Sequence, residues 1–233
     1  MDTDALKRLA GEEAAALVQD GMVVGLGTGS TAACMVDALI RRVAQGLKIV
    51  GVPTSIRTAE QAQAGGIPLT DLGAHPRIDL TIDGADQVER GTLNLIKGMG
   101  GALLREKLVA AASDRLVIIV DDRKLSENLS LPVPVEVVPF GWQATDLRIQ
   151  ALGGRTVLRG GADGTPYVTD NHNYILDVDF GVMGGSDPSR TPEALDAALR
   201  EIVGVVETGF FIHRAETVII AGEGGVTRWQ RSA

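Results

Sequence analysis

Aromatic side chains are scarce in this chain: two Trp, two Tyr and four Phe among 233 residues. The core must therefore be aliphatic, and a base-stacking surface for single-stranded nucleic acid is not expected. A single cysteine, Cys34, excludes an intrachain disulfide and suits a reducing compartment. Catalytic thiol chemistry would need a histidine partner, but His75, His172 and His213 are scattered, so Cys34 reads as helix core. No run of five or more Lys and Arg occurs and the formal net charge is -8, which opposes a nucleic-acid partner. An acidic protein can still bind a small anion where a few lysines and backbone N–H groups converge. Nor is there an apolar run near the roughly 18 residues that span a bilayer. The opening "MDTDALKRLAGEEAAALVQDG" carries charge throughout and reads as an amphipathic helix ended by Gly21, without a signal-peptide core. No membrane partner and a cytoplasmic location are expected.

What is present is an ordinary globular mix, 45% hydrophobic and 22% charged, long enough for one large domain or a domain with a small companion. Over the first 129 residues short β-branched runs alternate with helical segments. Strands are expected at 22–27, 47–52, 78–84 and 115–122, and helices at 30–46, 55–66 and 102–113. Apolar strands separated by helices give an α/β fold, a Rossmann-like parallel sheet covered on both faces. Ligands of such sheets sit at the carboxyl ends of the strands. The three prolines of "LSLPVPVEVVP" break this rhythm. Beyond them the order is strand 133–138, helix 142–152, strands 155–159 and 167–179, helix 192–202 and strand 205–212. That βαββαβ order suits a smaller α+β unit of ferredoxin type, a candidate packing or oligomerisation surface. A last strand at 215–222 should return to the first sheet. The expected division is 1–130 with 207–233 against 131–206.

Three segments carry chemistry. "GLGTGSTA" at 25–32 joins a strand to a helix, and its glycines let backbone N–H groups approach an anion at the helix start. Ser30 and Thr31 add hydroxyls. A dinucleotide is disfavoured: the pattern is G-x-G-x-x-S, and the next strand ends in Pro53, Thr54 and Ser55 where a ribose-binding acid belongs. No Gly-Lys-Ser/Thr follows at Walker spacing. A purely structural tight turn stays open. "IDGAD" sets Asp83 and Asp86 at a strand end, with Gly84 allowing a sharp turn, although Asp and Gly also populate plain surface turns. Eleven residues after Asp86 stands Lys97, in a second glycine loop, "KGMGG", that opens a helix bearing Glu106. Glu106 could be a solvated helix-face carboxylate. Turned towards the loop, beside two aspartates and partly buried, it would instead serve as a general base. Lys97 would then hold an anionic oxygen. No metal-ligand set stands out, so no metal is expected, with magnesium the open alternative. A phosphate anchor, one base, helper carboxylates and an ammonium suit proton abstraction next to a carbonyl of a phosphorylated sugar.

"GLGTGSTA", "DGADQ" and "KGMGGALLREK" together resemble the signature segments of the type A ribose-5-phosphate isomerases. Lys7 in "ALKRLA", Lys124 in "VDDRK", "LPVPVEVVP", "LGG", "TDNHNYILDV" and "GVVETGFF" follow in the family's order, so the resemblance covers nearly the whole chain. It implies cofactor-free interconversion of ribose 5-phosphate and ribulose 5-phosphate through an enediolate, in a homo-oligomer, dimer or dimer of dimers. It implies Glu106 as the base between carbons 2 and 1. Lys97 and the N–H groups of the Gly98–Gly101 loop would steady the enediolate oxygen. Asp83 and Asp86 would assist ring opening and hydroxyl proton transfer. Thr28, Gly29, Ser30 and Thr31 would hold substrate, with Gly84, Ala85, Gly98, Met99 and Gly100 alongside and Lys7 and Lys124 near the phosphate. Solvated surface charge is the plain alternative for both lysines.

The chain departs from the family in three places. Gln87 stands where relatives usually carry Glu, Met99 where many carry Gly, and His172 in place of the commonest turn residue of "DN-x-N". None removes a position assigned to chemistry. Two other readings compete: a sugar-phosphate-sensing regulator, and a dinucleotide- or acyl-CoA-dependent enzyme. The first lacks a spare segment for a helix-turn-helix and keeps Glu106. The second lacks the ribose carboxylate and a larger set of phosphate-ready cations.

Overall fold

A computed structural model describes residues 2–162 and 164–231. In chain order the elements are α1 (Thr3–Ala15), β1 (Val23–Leu26), α2 (Ser30–Ala44), β2 (Val50–Pro53), α3 (Ile56–Ala64), β3 (Leu80–Gly84), β4 (Gln87–Glu89) and β5 (Leu95–Ile96). There follow α4 (Leu103–Ala111), β6 (Leu116–Asp121), a 3-10 turn (Asp122–Lys124), β7 (Leu125–Ser126), β8 (Val133–Val137), α5 (Trp142–Gln150), β9 (Arg155–Leu158) and β10 (Tyr174–Asp179). A second 3-10 turn (Pro188–Arg190), α6 (Pro192–Arg200), β11 (Val205–Thr208), β12 (Phe210–Phe211), β13 (Thr217–Gly222) and β14 (Gly225–Gln230) complete it. The chain forms two compact units, the first of residues 1–85, 105–125 and 214–233, the second of 86–104 and 126–213. The segment 86–104 thus falls in the second unit, although the sequence rhythm places it with the first sheet.

The first unit holds a six-stranded sheet in the order β14-β13-β6-β3-β1-β2. All neighbours run parallel except the β13–β14 edge pair. Every residue of β6 is buried, which is why "LVIIVD" shows no polar alternation: helices cover both faces. On one face Leu6, Ala10 and Ala14 of α1 and Met35, Val36 and Leu39 of α2 pack over Val24, Leu26, Ile82, Val117 and Ile119. Gly11 permits that approach, because a Cβ there would lie 2.7 Å from the Met35 nitrogen. On the other face Val109 of α4 meets Val52 and Ile78. The expected return of the last strand is seen in β13, paired with β6. The antiparallel β14 after it was not anticipated.

The second unit contains the expected βαββαβ run, β8-α5-β9-β10-α6-β11, as an antiparallel sheet ordered β11-β8-β10-β9. Ile149 of α5 and Leu195 and Leu199 of α6 pack on Val133, Val135, Val137, Leu176 and Val178. Two expected strands need correction. Residues 167–173 are not part of β10; Thr169 accepts N–H bonds at its hydroxyl from Asn171 and Asn173 and turns the chain. The span 205–212 divides at Gly209 into β11 and β12, which join different sheets. A Cβ at Gly209 would fall 2.4 Å from the Lys97 carbonyl oxygen, so two backbones meet there. The small sheet β12-β5-β4-β7 is built from strands of two or three residues.

Candidate active site

In the first unit the glycine loop follows β1 and Asp83 lies near the end of β3, and these strands are parallel neighbours. Both loops therefore open at one carboxyl edge. The Asp83 carboxylate is 1% exposed, and its Oδ1 accepts N–H bonds from Thr28 (3.0 Å) and Gly84 (2.7 Å). Gly27 makes room for it: a Cβ there would stand 2.3 Å from that oxygen. The Thr28 hydroxyl turns inward, meeting the hydroxyls of Thr54 at 2.7 Å and Ser55 at 2.8 Å. Thr58 donates to the Gly27 carbonyl at 3.0 Å. The hydroxyls that occupy the place of a ribose-binding acid thus brace the glycine loop. Gly29, with φ 116°, precedes α2, and no side chain caps the helix start there. Ser30 is exposed, with Gly29 and Thr31 half-buried.

Lys7 lies on α1, half-buried, with Nζ 3.4 Å from Asp4. The α1–α2 contacts advance in the same direction along both helices: Gly11 against Cys34 and Met35, then Glu12 with Arg41. Lys7, one turn before Gly11, is thereby level with the first turns of α2. Electrostatics agree: burial and Asp37 push the Cys34 thiol up, while Arg8 and Lys7 pull it down. Lys124 ends the 3-10 turn after β6, half-buried. Arg123 of that turn donates to the Thr3 hydroxyl at 2.9 Å, which brings the turn to the start of α1. Burial alone would raise the Asp121 carboxyl, but the Arg123 hydrogen bonds and charge, with Lys124 beyond, hold it below the usual carboxylate range.

Glu106 belongs to the first turn of α4 and is only 4% exposed, so the solvated-face alternative does not hold. Helix α4 runs back from the carboxyl edge: its C-terminal end meets the start of β3, where the Ile78 N–H donates to the Ala112 carbonyl at 2.9 Å. Its first turn accordingly stands at the edge that carries Asp83. A carboxylate there faces the positive end of the helix dipole.

In the second unit the Asp86 Oδ2 accepts the Met99 N–H at 2.9 Å, tying the two loops together. Lys97 is 2% exposed; its N–H donates to Gly209 O at 2.9 Å and its Nζ stands 5.4 Å from the Phe211 ring centroid. Gly98, φ 102°, and Gly101, φ 81°, shape the loop between. Met99 is 43% exposed and Gly100 is exposed, whereas Gly98 is buried; Gly84 and Ala85, in the first unit, are half-buried. Gln87 accepts from the N–H groups of Ser130 (2.8 Å) and Leu131 (3.0 Å), a backbone staple requiring no charge. Arg159 was not anticipated. It donates to the carbonyls of Gly98 (3.0 Å) and Met99 (3.1 Å), and nothing in "LRGG" announces a contact some sixty positions away in the chain. Among the described residues no group of three or more His, Cys, Asp or Glu is placed to hold a metal, and no helix is long and apolar enough to cross a membrane.

The family model for ribose 5-phosphate isomerase A (phosphoriboisomerase A) matches residues 50–225. The chain is 56% identical over 228 residues to the ribose-5-phosphate isomerase A of Gloeobacter violaceus, covering 97% of this chain and 96% of that one. With its counterpart from Gluconobacter oxydans it shares 52% over 232 residues, 98% of each chain. Among solved structures, ribose 5-phosphate isomerase A from Methanocaldococcus jannaschii superposes with a TM-score of 0.91 at 38% identity, covering 97% of this chain and 99% of that one. A D-ribose-5-phosphate isomerase in complex with phospho-erythronic acid gives 0.93 at 37%, covering 99% and 100%.

Proposed function

The chain belongs to the ribose 5-phosphate isomerase A family and interconverts D-ribose 5-phosphate and D-ribulose 5-phosphate, and we propose that Glu106 is the base of this reaction. Glu106 takes the hydrogen from carbon 2 of the open-chain aldose and returns it to carbon 1 of the enediolate. Its near-complete burial is the observation that carries this reading. A carboxylate sheltered from water and fixed in a helical turn keeps its proton from bulk exchange between the two steps. The Lys97 ammonium, with the N–H groups of Gly98 and Gly100, neutralises the oxygen charge that develops as the hydrogen leaves. Asp83 and Asp86, each oriented by backbone N–H bonds, assist ring opening and move hydroxyl protons.

Gly29, Ser30 and Thr31, at the start of α2, take the phosphate through N–H groups and the helix dipole, with Thr28 bracing the loop behind them and Lys7 and Lys124 adding charge. The acid bound to the related enzyme supports an enediolate route. Phospho-erythronic acid pairs a phosphate with a carboxylate, and two oxygens sharing a negative charge on one carbon imitate the enediolate's paired oxygens. No cofactor enters these steps, and ammonium rather than metal charge serves the oxyanion. We further propose a homo-oligomer formed through the second unit, where Phe140, Val203 and Leu147 stand exposed.

The test is Glu106→Gln. Turnover should fall by about 100-fold or more while ribose 5-phosphate still binds, because only the proton acceptor is lost. Turnover by that variant near the unsubstituted rate, in an assay of ribulose 5-phosphate formation with no cofactor added, would remove Glu106 from the role.

A further inference from the structure

Arg159 stands just past β9 with its side chain 15% exposed. One edge of its guanidinium, Nε and Nη2, grips the Asp177 carboxylate on β10, with Nε 2.9 Å from Oδ2. The remaining nitrogen, Nη1, donates to two successive carbonyls of the glycine loop, Gly98 at 3.0 Å and Met99 at 3.1 Å. Its Cζ lies 6.0 Å from the Tyr167 ring centroid. Tyr167 in turn fills the space beside Gly101, where a Cβ would come within 2.1 Å of its hydroxyl oxygen.

In a planar trans peptide the C=O and N–H point in opposite directions. The Gly98–Met99 unit is therefore held at both ends, its carbonyl by the Arg159 cation and its N–H by the Asp86 carboxylate at 2.9 Å. The next carbonyl is drawn to the same Nη1, which turns the Gly100 N–H away from Arg159 as well. We propose that Arg159, anchored by Asp177, is a positioning residue for the isomerisation: by fixing the Gly98–Met99 peptide it aims, through the Met99 N–H, the Asp86 carboxylate. The role demands a planar fork that spends one edge on a carboxylate and still reaches two carbonyls. A lysine, a point charge on a flexible stem, cannot do both.

This inference rests on Asp86 serving the reaction, so the experiment reads the two separately. Arg159→Lys, Asp86→Ala and the double variant are assayed for ribulose 5-phosphate formation, with thermal melts to normalise for folded enzyme. Arg159→Lys is expected to lower kcat by about 100-fold, the scale of an ångström-sized misplacement of reacting groups, with KM for ribose 5-phosphate within about threefold. On the Asp86→Ala background the same substitution should cost less than about threefold, since the groups act as one unit. A fall confined to KM, an equal fold-loss on both backgrounds, or unchanged turnover of Arg159→Lys would overturn the positioning role. Wild-type turnover by Asp86→Ala would instead remove Asp86 from the mechanism, and this inference with it. Should Arg159→Lys fail to fold, Asp177→Asn keeps the arginine and loosens its anchor; the same kcat-limited, Asp86-dependent loss is expected, and an additive one is disqualifying.

Discussion

At the scale of single residues, Gln87 separates structure from chemistry. Its side-chain oxygen satisfies two backbone N–H groups and its nitrogen donates to the Ser130 hydroxyl at 3.2 Å. A carboxylate in the same place would accept the same two N–H groups and a hydrogen bond from the Ser130 hydroxyl. Gln87→Glu is therefore expected to leave kcat within about twofold, whereas Gln87→Ala should destabilise by about 1–3 kcal/mol, the cost of stranding a buried donor. Steady-state kinetics and chemical denaturation check the pair; a large loss of turnover in Gln87→Glu would place position 87 in the chemistry. Asp83, Asp86, Lys97 and Glu106 were legible as candidates because glycines surround them and their spacing is local. Arg159 and Asp177 were not. They pair with each other across a hairpin and with the glycine loop across some sixty positions, and a lone Arg or Asp on a strand reads as surface charge.

At the scale of elements, strand–helix alternation sufficed for β1 to β3, α2 to α4 and β6, since each is a buried run or an amphipathic period bounded by Gly or Ser. It failed where elements were too short to carry a period. β4, β5, β7 and β12 are two or three residues long, held by pairing to one another and invisible to any periodic pattern. It also overran: "VTDNHN" is β-branched and polar enough to extend a strand, yet His172 adopts φ 62° and the Thr169 hydroxyl closes a turn. The β1–α2 junction offers a test. At Gly27 a Cβ would approach the Asp83 Cα to 2.5 Å, a backbone clash that no rotamer relieves. Gly27→Ala should force β1 and β3 apart, destabilise by about 1–3 kcal/mol and reduce turnover by moving Asp83. Melting temperature and kcat should fall together; an unchanged melt would mean the edge is looser than its contacts indicate.

At the scale of the whole molecule, the second unit leaves apolar surface that its own core does not use. Phe140 is 95% exposed and Val203 86%, while the next aromatic, Trp142, packs into the core beneath. Val138, whose N–H donates to Gly204 O at 2.9 Å, brings the two exposed side chains to the same end of the sheet. Isolated surface apolar residues are commonplace, but an aromatic beside valines at one sheet end is the composition of an interface centre. A second copy of the chain is the partner a homo-oligomer requires, and each copy would bring the same patch. Phe140→Asp with Val203→Asp removes nothing from the monomer's interior, so the fold should survive in circular dichroism. It should convert the protein to a monomer in light scattering at concentrations where the unsubstituted chain is larger. If the unsubstituted chain is already monomeric at micromolar concentration, or the variant keeps its size, the oligomer does not form through this surface.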